Sequence, residues 1–102
     1  WVENVVAIRT CPHSLDVADI DGDGAVEIIV GEHDPFTPED ADVFCRLSVF
    51  KRLDLRGRTW SEHVVDNRFE HHVGAQAIRL EHGMGIVSQG WSEPRVLHLW
   101  EP

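Results

Sequence analysis

The hydrophobic and polar residues of this chain alternate with a period of two rather than with the 3.6-residue period of a helix. Short runs rich in Val, Ile and Phe recur, and clusters of Gly, Asp and Pro separate them. The clearest runs are residues 15–20, 27–31, 43–50 and 60–65. No segment carries a sustained helical stripe. The pattern therefore predicts an all-β protein built from antiparallel strands, with little helix.

The pattern of runs occurs twice along the chain. A Trp-led run, a histidine-bearing loop and three further strands follow one another in each copy. The matching segments are 1–6 with 60–65, 17–20 with 77–80, 28–31 with 86–90, and 46–51 with 96–101. The first copy has the longer loop, at 33–42. The repeat predicts two four-strand units, divided into residues 1–59 and 60–102.

An acidic stretch, D-I-D-G-D-G-A-V-E, occupies residues 19–27 of the first unit. Carboxylates this close repel one another, so a bound cation or a set of hydrogen-bond donors is needed to offset the repulsion. Ca²⁺ takes about six to eight oxygen ligands, and the glycines allow the tight bend that such a site needs. The candidate ligands are the side chains of Asp19, Asp21, Asp23 and Glu27 and the carbonyl of Ala25. The alternative is an Asx-rich turn that holds no metal.

An EF-hand is the obvious rival interpretation of this stretch, because Gly24 falls at the sixth position of such a loop. The twelfth position, however, is Val30 rather than the bidentate Glu of an EF-hand. The flanking segments also have the pattern of strands. The sequence therefore disfavours a helix-loop-helix site.

The stretch resembles the calcium loop of FG-GAP/VCBS repeats, the β-propeller blades found in integrin α chains and in many secreted proteins. Their D-x-D-G-D-G-x-x-D pattern is present from Asp19, with Glu27 at the last position. The resemblance implies two four-stranded antiparallel blades of a β-propeller, with Ca²⁺ as cofactor and the calcium loop between the first two strands of a blade. It implies that Trp1–Ala7 is an outer strand of a neighbouring blade. Further blades of the same parent chain, or identical subunits, would complete the fold.

The second unit does not keep the acidic loop. Arg79 stands where the first Asp would be, and the turn that follows is shorter. We therefore expect one calcium ion per chain, with a degenerate loop in the second unit.

The resemblance also implies a ligand-binding loop face opposite the calcium loop. Its candidate binding residues are His33, Asp34, Phe36, His71, His72 and Trp91. An exposed Trp offers an apolar face to a sugar ring, and the histidines can hydrogen-bond its hydroxyls. The alternatives are that the two adjacent histidines only stabilise their turn and that Trp91 packs between blades. Metal binding by histidine is disfavoured, since no H-x-H, H-x-x-x-H or H-E-x-x-H spacing is present.

Composition excludes some partners. The 102 residues carry a net charge of -9 and contain a single lysine, Lys51, which argues against nucleic-acid binding. No window approaches the roughly 18 apolar residues of a membrane span, so membrane insertion is not expected.

Cys11 and Cys45 are expected to be separate thiols. They fall on predicted strands that are two apart in the sheet, and such strands are separated by roughly 9.5 Å. The chain starts on Trp1 without a Met, so it is expected to be part of something longer.

The predicted function is a calcium-stabilised module for extracellular binding of a glycan or a protein. An extracellular or cell-surface location follows from the high calcium concentration outside cells. Two alternatives remain open: an architectural unit of a larger surface or fibre assembly, and part of a carbohydrate-active lyase or dehydratase, since similar repeats occur in such enzymes. A non-enzymatic role is favoured, because no nucleophile elbow is present.

Overall fold

A computed structural model describes residues 1–33, 45–91 and 95–102 of the chain. These residues form seven strands and no helix, which confirms the all-β prediction. The strands are β1 (Pro12–Ala18), β2 (Glu27–Glu32), β3 (Leu47–Arg52), β4 (Trp60–Asp66), β5 (Gly74–Leu80), β6 (Gly83–Gln89) and β7 (Leu97–Trp100). No helix in this part of the chain is long and apolar enough to cross a membrane.

The strands form two antiparallel sheets, each of which follows the order of the sequence. The first sheet has the order β1-β2-β3-β4 and the second has the order β5-β6-β7. All neighbouring strands are antiparallel. The first sheet thus includes β4 (Trp60–Asp66), which the predicted division after residue 59 assigns to the second unit. Residues 1–9 form no strand within this chain, so the outer strand expected at Trp1–Ala7 stays a prediction.

The hydrophobic core lies where the inner faces of the two sheets meet. Ile29, Leu47 and Val49 from the first sheet cluster with Ala75 and Ile86 from the second. The first strands of the two sheets are also joined directly, because the Asp16 carboxylate of β1 accepts a 2.8 Å hydrogen bond from the Ala77 N–H of β5. The repeat thus packs against itself through one face of each sheet.

The outer faces of both sheets carry apolar side chains that remain exposed. Alternate residues of a strand point to opposite faces, so the neighbours of inward-facing residues face outward. Leu15 and Val17 of β1 are 68% and 48% exposed, and Leu97 and Leu99 of β7 are 67% and 51% exposed. Such patches are typical of surfaces that another element covers.

The N-terminal segment covers part of the outer face of the first sheet. The Arg9 guanidinium pairs with Glu62 and lies 5.3 Å from the centre of the Phe50 ring, which is buried. Trp1, in contrast, is fully exposed and packs against neither sheet in this structure. Cys11 is half-buried and Cys45 is buried, and no disulfide joins the two.

Candidate functional site

The acidic loop connects β1 to β2, and its own backbone holds its carboxylates in place. Gly22 and Gly24 have φ values of 77° and 89°, in the left-handed region that favours glycine. Asp19 accepts hydrogen bonds from both glycine N–H groups, at 2.8 and 3.0 Å. Asp23 accepts one from the Ala25 N–H at 2.8 Å. The glycines thus allow the turn that gathers the acidic side chains.

Three of the predicted calcium ligands converge in this loop. Carboxylate oxygens of Asp19, Asp21 and Glu27 lie within 4.8 Å of one another. Glu27 is the first residue of β2 and is only 2% exposed. Its Oε2 accepts a 2.9 Å hydrogen bond from the Ile20 N–H, but its Oε1 is buried without a hydrogen-bond partner. A buried carboxylate oxygen of this kind is costly unless a cation balances it.

Lys51, on β3, acts as a counter-ion to the same loop. Its ammonium contacts Asp21 and lies 2.6 Å from the Asp23 carboxylate. These contacts raise the pKa of Lys51 and, together with the Ala25 N–H, lower the pKa of Asp23. Lys51 thus pairs with both Asp21 and Asp23, and Asp23 is not one of the three carboxylates that converge. Ligand roles for Asp23 and for the Ala25 carbonyl stay predictions.

The equivalent turn of the second unit is a tight hairpin. Leu80 pairs with Gly83, so only Glu81 and His82 lie between β5 and β6. Both side chains are 89% exposed. The acidic cluster of the first unit thus has no counterpart in this turn.

His71, a predicted ligand-binding residue, is not on the surface. Its side chain is completely buried, with Nδ1 2.9 Å from the Ser88 hydroxyl and Nε2 3.3 Å from the Asp66 carboxylate. The Trp100 indole N–H donates to the same hydroxyl at 2.7 Å. This position does not fit direct contact with a ligand. His71 instead links the end of β4 to β6 and β7.

The order Asp66, His71, Ser88 is that of a hydrolase triad. These three side chains are buried, however, and a substrate cannot reach them. Because a carboxylate only accepts, Nε2 of His71 carries the proton and Nδ1 accepts from the Ser88 hydroxyl. Ser88 is 1% exposed, and its oxygen is already an acceptor for Trp100. Burial lowers the pKa of His71, although Asp66 acts in the opposite direction. The lowered pKa keeps the ring neutral. The arrangement is therefore a structural hydrogen-bond chain.

His72 and Trp91 line a common open cleft of about 490 Å³. His13 and Gln76 contribute to the same wall, and Trp91 is 75% exposed. The indole is therefore available to a ligand in this structure rather than packed between sheets. The predicted binding residues Asp34 and Phe36 lie outside the described residues.

A group of histidines gathers around Glu70, a residue that the sequence did not single out. The ring centres of His33 and His72 are 3.9 Å apart, and that of His13 is 5.2 Å from His72. Donor atoms of His33, Glu70 and His72 lie within 4.8 Å of one another. These residues come from separate segments, so no spacing motif marks them. The only sequence feature that could have indicated this cluster is the histidine-bearing loop in each repeat.

Comparison of the chain with protein-family models, with curated proteins and with solved structures finds no match.

Proposed function

We propose that this chain is a calcium-stabilised module of an extracellular β-propeller, of the FG-GAP/VCBS type, which binds a glycan or a protein through its histidine and tryptophan face. The observation that carries the proposal is the convergence of Asp19, Asp21 and Glu27 on a loop where Glu27 Oε1 is buried without a partner. Two successive sheets with the same strand order and a shared packing face support the propeller architecture.

Calcium suits this loop better than other divalent cations do. The convergent donors are all carboxylate oxygens, which hard cations prefer, and they lie on a flexible glycine-containing turn. Asp19, Asp21 and Glu27 would hold the ion, and Asp23 would join them once Lys51 moves away. The ion would neutralise the like charges that the loop brings together. It would thereby hold β1 and β2 in register at the start of the blade.

Calcium is expected to raise the melting temperature of the chain relative to EGTA. Binding to the folded state alone stabilises it by about 2.7 kcal/mol at a hundredfold excess over Kd. Asp21→Ala should melt in calcium at the temperature that wild type shows in EGTA. Differential scanning fluorimetry measures both effects.

The matched control is Glu81→Gln, which removes an exposed acidic residue from the equivalent turn of the second sheet. This variant should keep the full response to calcium. Superimposable melting curves of wild type with calcium and with EGTA would rule out the calcium site.

The ligand-binding part of the proposal depends on Trp91 and the cleft beside it. An exposed indole stacks on the apolar face of a pyranose ring, and the neighbouring imidazole and amide groups can hydrogen-bond its hydroxyls. A glycan array should identify a bound sugar, and Trp91→Ala should weaken that binding at least about tenfold, the equivalent of 1.4 kcal/mol.

Trp1→Ala is the control for this experiment, because it removes another exposed indole, at the other end of the chain. It should leave glycan binding unchanged. Equal glycan affinities of Trp91→Ala and wild type would place the binding surface elsewhere.

An architectural role is the second candidate, and the exposed apolar faces of both sheets favour it. Leu15 and Val17 on one side and Leu97 and Leu99 on the other would suit stacking in a larger assembly. A role in an enzyme receives no such support, because the described Asp66, His71 and Ser88 are sealed from substrate.

A further inference from the structure

Three metal-ligating side chains meet at the end of the molecule that carries the predicted ligand-binding loops. His33 follows β2, whereas Glu70 and His72 belong to the loop between β4 and β5. Their nitrogen and oxygen donors lie within 4.8 Å of one another. Glu70 is 7% exposed, and the His72 side chain is 11% exposed. Two imidazoles and a carboxylate thus lie close together at a site that is largely shielded from solvent.

The backbone holds these ligands together. The His71 N–H donates to the Glu32 carbonyl at 3.0 Å, which fixes the loop against the end of β2. The His33 N–H donates to the Cys11 carbonyl at 3.0 Å. Backbone hydrogen bonds therefore help to position the two segments that supply the three side chains.

Glu70 is oriented so that one oxygen faces His72. Its Oε1 accepts a hydrogen bond from the Trp91 N–H, and its Oε2 lies 3.3 Å from Nδ1 of His72. Gly90 makes this possible, since a Cβ at that position would lie 2.6 Å from the Glu70 carbonyl oxygen. The Trp91 N–H thus holds one oxygen of the Glu70 carboxylate in place. Hydrogen bonds of this kind, from groups that do not themselves bind the metal, orient metal ligands.

The Nδ1 atoms of two histidines have different roles at this cluster. Nδ1 of His72 is buried and makes no hydrogen bond. His13, on β1, donates its Nδ1–H to the His72 carbonyl at 3.2 Å, because a carbonyl only accepts. Nδ1 of His72 is therefore the nitrogen that this side chain offers to a ligand.

We propose that His33, Glu70 and His72 bind a divalent transition metal of the zinc class, separately from the calcium loop. Zinc accepts nitrogen and carboxylate ligands at about 2.0–2.2 Å, which places two ligands of a tetrahedral ion about 3.3 Å apart. The 3.3 Å between His72 Nδ1 and Glu70 Oε2 matches that separation. The alternative is a metal-free cluster in which Glu70 and His72 only interact with each other.

The proposal predicts one zinc ion per chain in addition to calcium. Chain freed of metal with EDTA is titrated with ZnCl₂ in a calcium-containing buffer by isothermal titration calorimetry. Wild type should bind one equivalent. His72→Ala and His33→Gln should each lower the zinc affinity at least about tenfold, in line with losses seen when metal sites are perturbed. Co²⁺ in place of Zn²⁺ should give the visible absorption of a tetrahedral nitrogen and oxygen site.

Two controls separate this site from others in the chain. His82→Ala removes an imidazole that is 89% exposed, and Asp21→Ala removes a calcium ligand, so both should bind zinc as wild type does. Circular dichroism verifies that His33→Gln and His72→Ala are folded, and His33→Gln, which keeps a polar side chain, carries the test if His72→Ala unfolds. No zinc binding by wild type, or unchanged affinity in folded His33→Gln, would overturn the proposal.

Discussion

Asp66 concentrates several interactions on one buried carboxylate. It accepts hydrogen bonds from the N–H groups of Arg68 and Phe69 at 2.9 and 3.1 Å, and the Arg68 guanidinium lies 2.6 Å away. His71 Nε2 completes the set at 3.3 Å. Burial by itself raises the pKa of Asp66, but these donors outweigh it, so the pKa lies below its usual value. The carboxylate is therefore ionised at neutral pH.

Asp66→Asn should destabilise the chain by about 2–3 kcal/mol at pH 7, because the buried His71 and the backbone donors lose a charged acceptor. The folded pKa lies below the unfolded value of 3.8, so the unfolded state binds the proton more readily. The stability that Asp66 contributes is thus complete above that value and is lost as the pH falls through the folded pKa.

Urea unfolding of both proteins in EDTA, at pH values from 7 to 3, measures this difference in the free energy of unfolding. The gap between wild type and Asp66→Asn should narrow toward pH 3. Glu81→Gln, at an exposed position, should match wild type at pH 7. A gap that does not change with pH would show that the charge of Asp66 is not what stabilises the network.

The sequence could indicate these site residues only where a local pattern marks them. The acidic positions from Asp19 to Glu27 are adjacent in one turn, so their clustering was predictable. Glu70 and Ser88, in contrast, acquire their roles from partners on other strands. His71 is buried for the same reason, because its environment is created by the second sheet.

At the scale of elements, period-two alternation predicted where the strands occur, although the bounds of runs 15–20 and 43–50 differ from those of β1 (Pro12–Ala18) and β3 (Leu47–Arg52). The runs at 27–31 and 60–65 correspond to β2 (Glu27–Glu32) and β4 (Trp60–Asp66). Each strand has one face in the core, and burial imposes that alternation directly on the sequence. β6 starts at Gly83, before the predicted run 86–90, because the two-residue turn closes the hairpin at once.

The docking of loops onto strands was not predictable, although glycines mark where it occurs. A Cβ on Gly31 would overlap the His71 carbonyl and the Ser14 hydroxyl, which hydrogen-bond to each other at 2.8 Å. Gly90 plays the corresponding part beside Glu70. The two glycines end the matching predicted runs 28–31 and 86–90, at or just beyond the ends of β2 and β6. A glycine at a strand end identifies a close approach, but it does not say which segment approaches.

At the scale of the whole molecule, each sheet has an apolar face on both sides. The inner faces cover one another through Ile29, Leu47 and Ile86. The outer faces have no equivalent partner among the described residues, apart from the N-terminal segment over Phe50. Self-similar units that leave such faces are characteristic of repeat arrays, in which each unit contacts only its neighbours. The repeat in the sequence predicts this stacking, whereas the number of units depends on surfaces beyond the two sheets.

The isolated chain is therefore expected to associate with itself, because further copies would cover the exposed Leu15 on one sheet and Leu97 on the other. Size-exclusion chromatography with light scattering should show species larger than a monomer. The double variant Leu15→Glu, Leu97→Glu should be monomeric, since a charge in the middle of each patch opposes burial.

Leu55→Glu is the control, because this leucine is 94% exposed in the turn between β3 and β4 and lies on neither outer face. A wild-type chain that elutes as a stable monomer would contradict stacking through these faces. Association that Leu55→Glu disrupts and the double variant does not would place the contact at the turn instead.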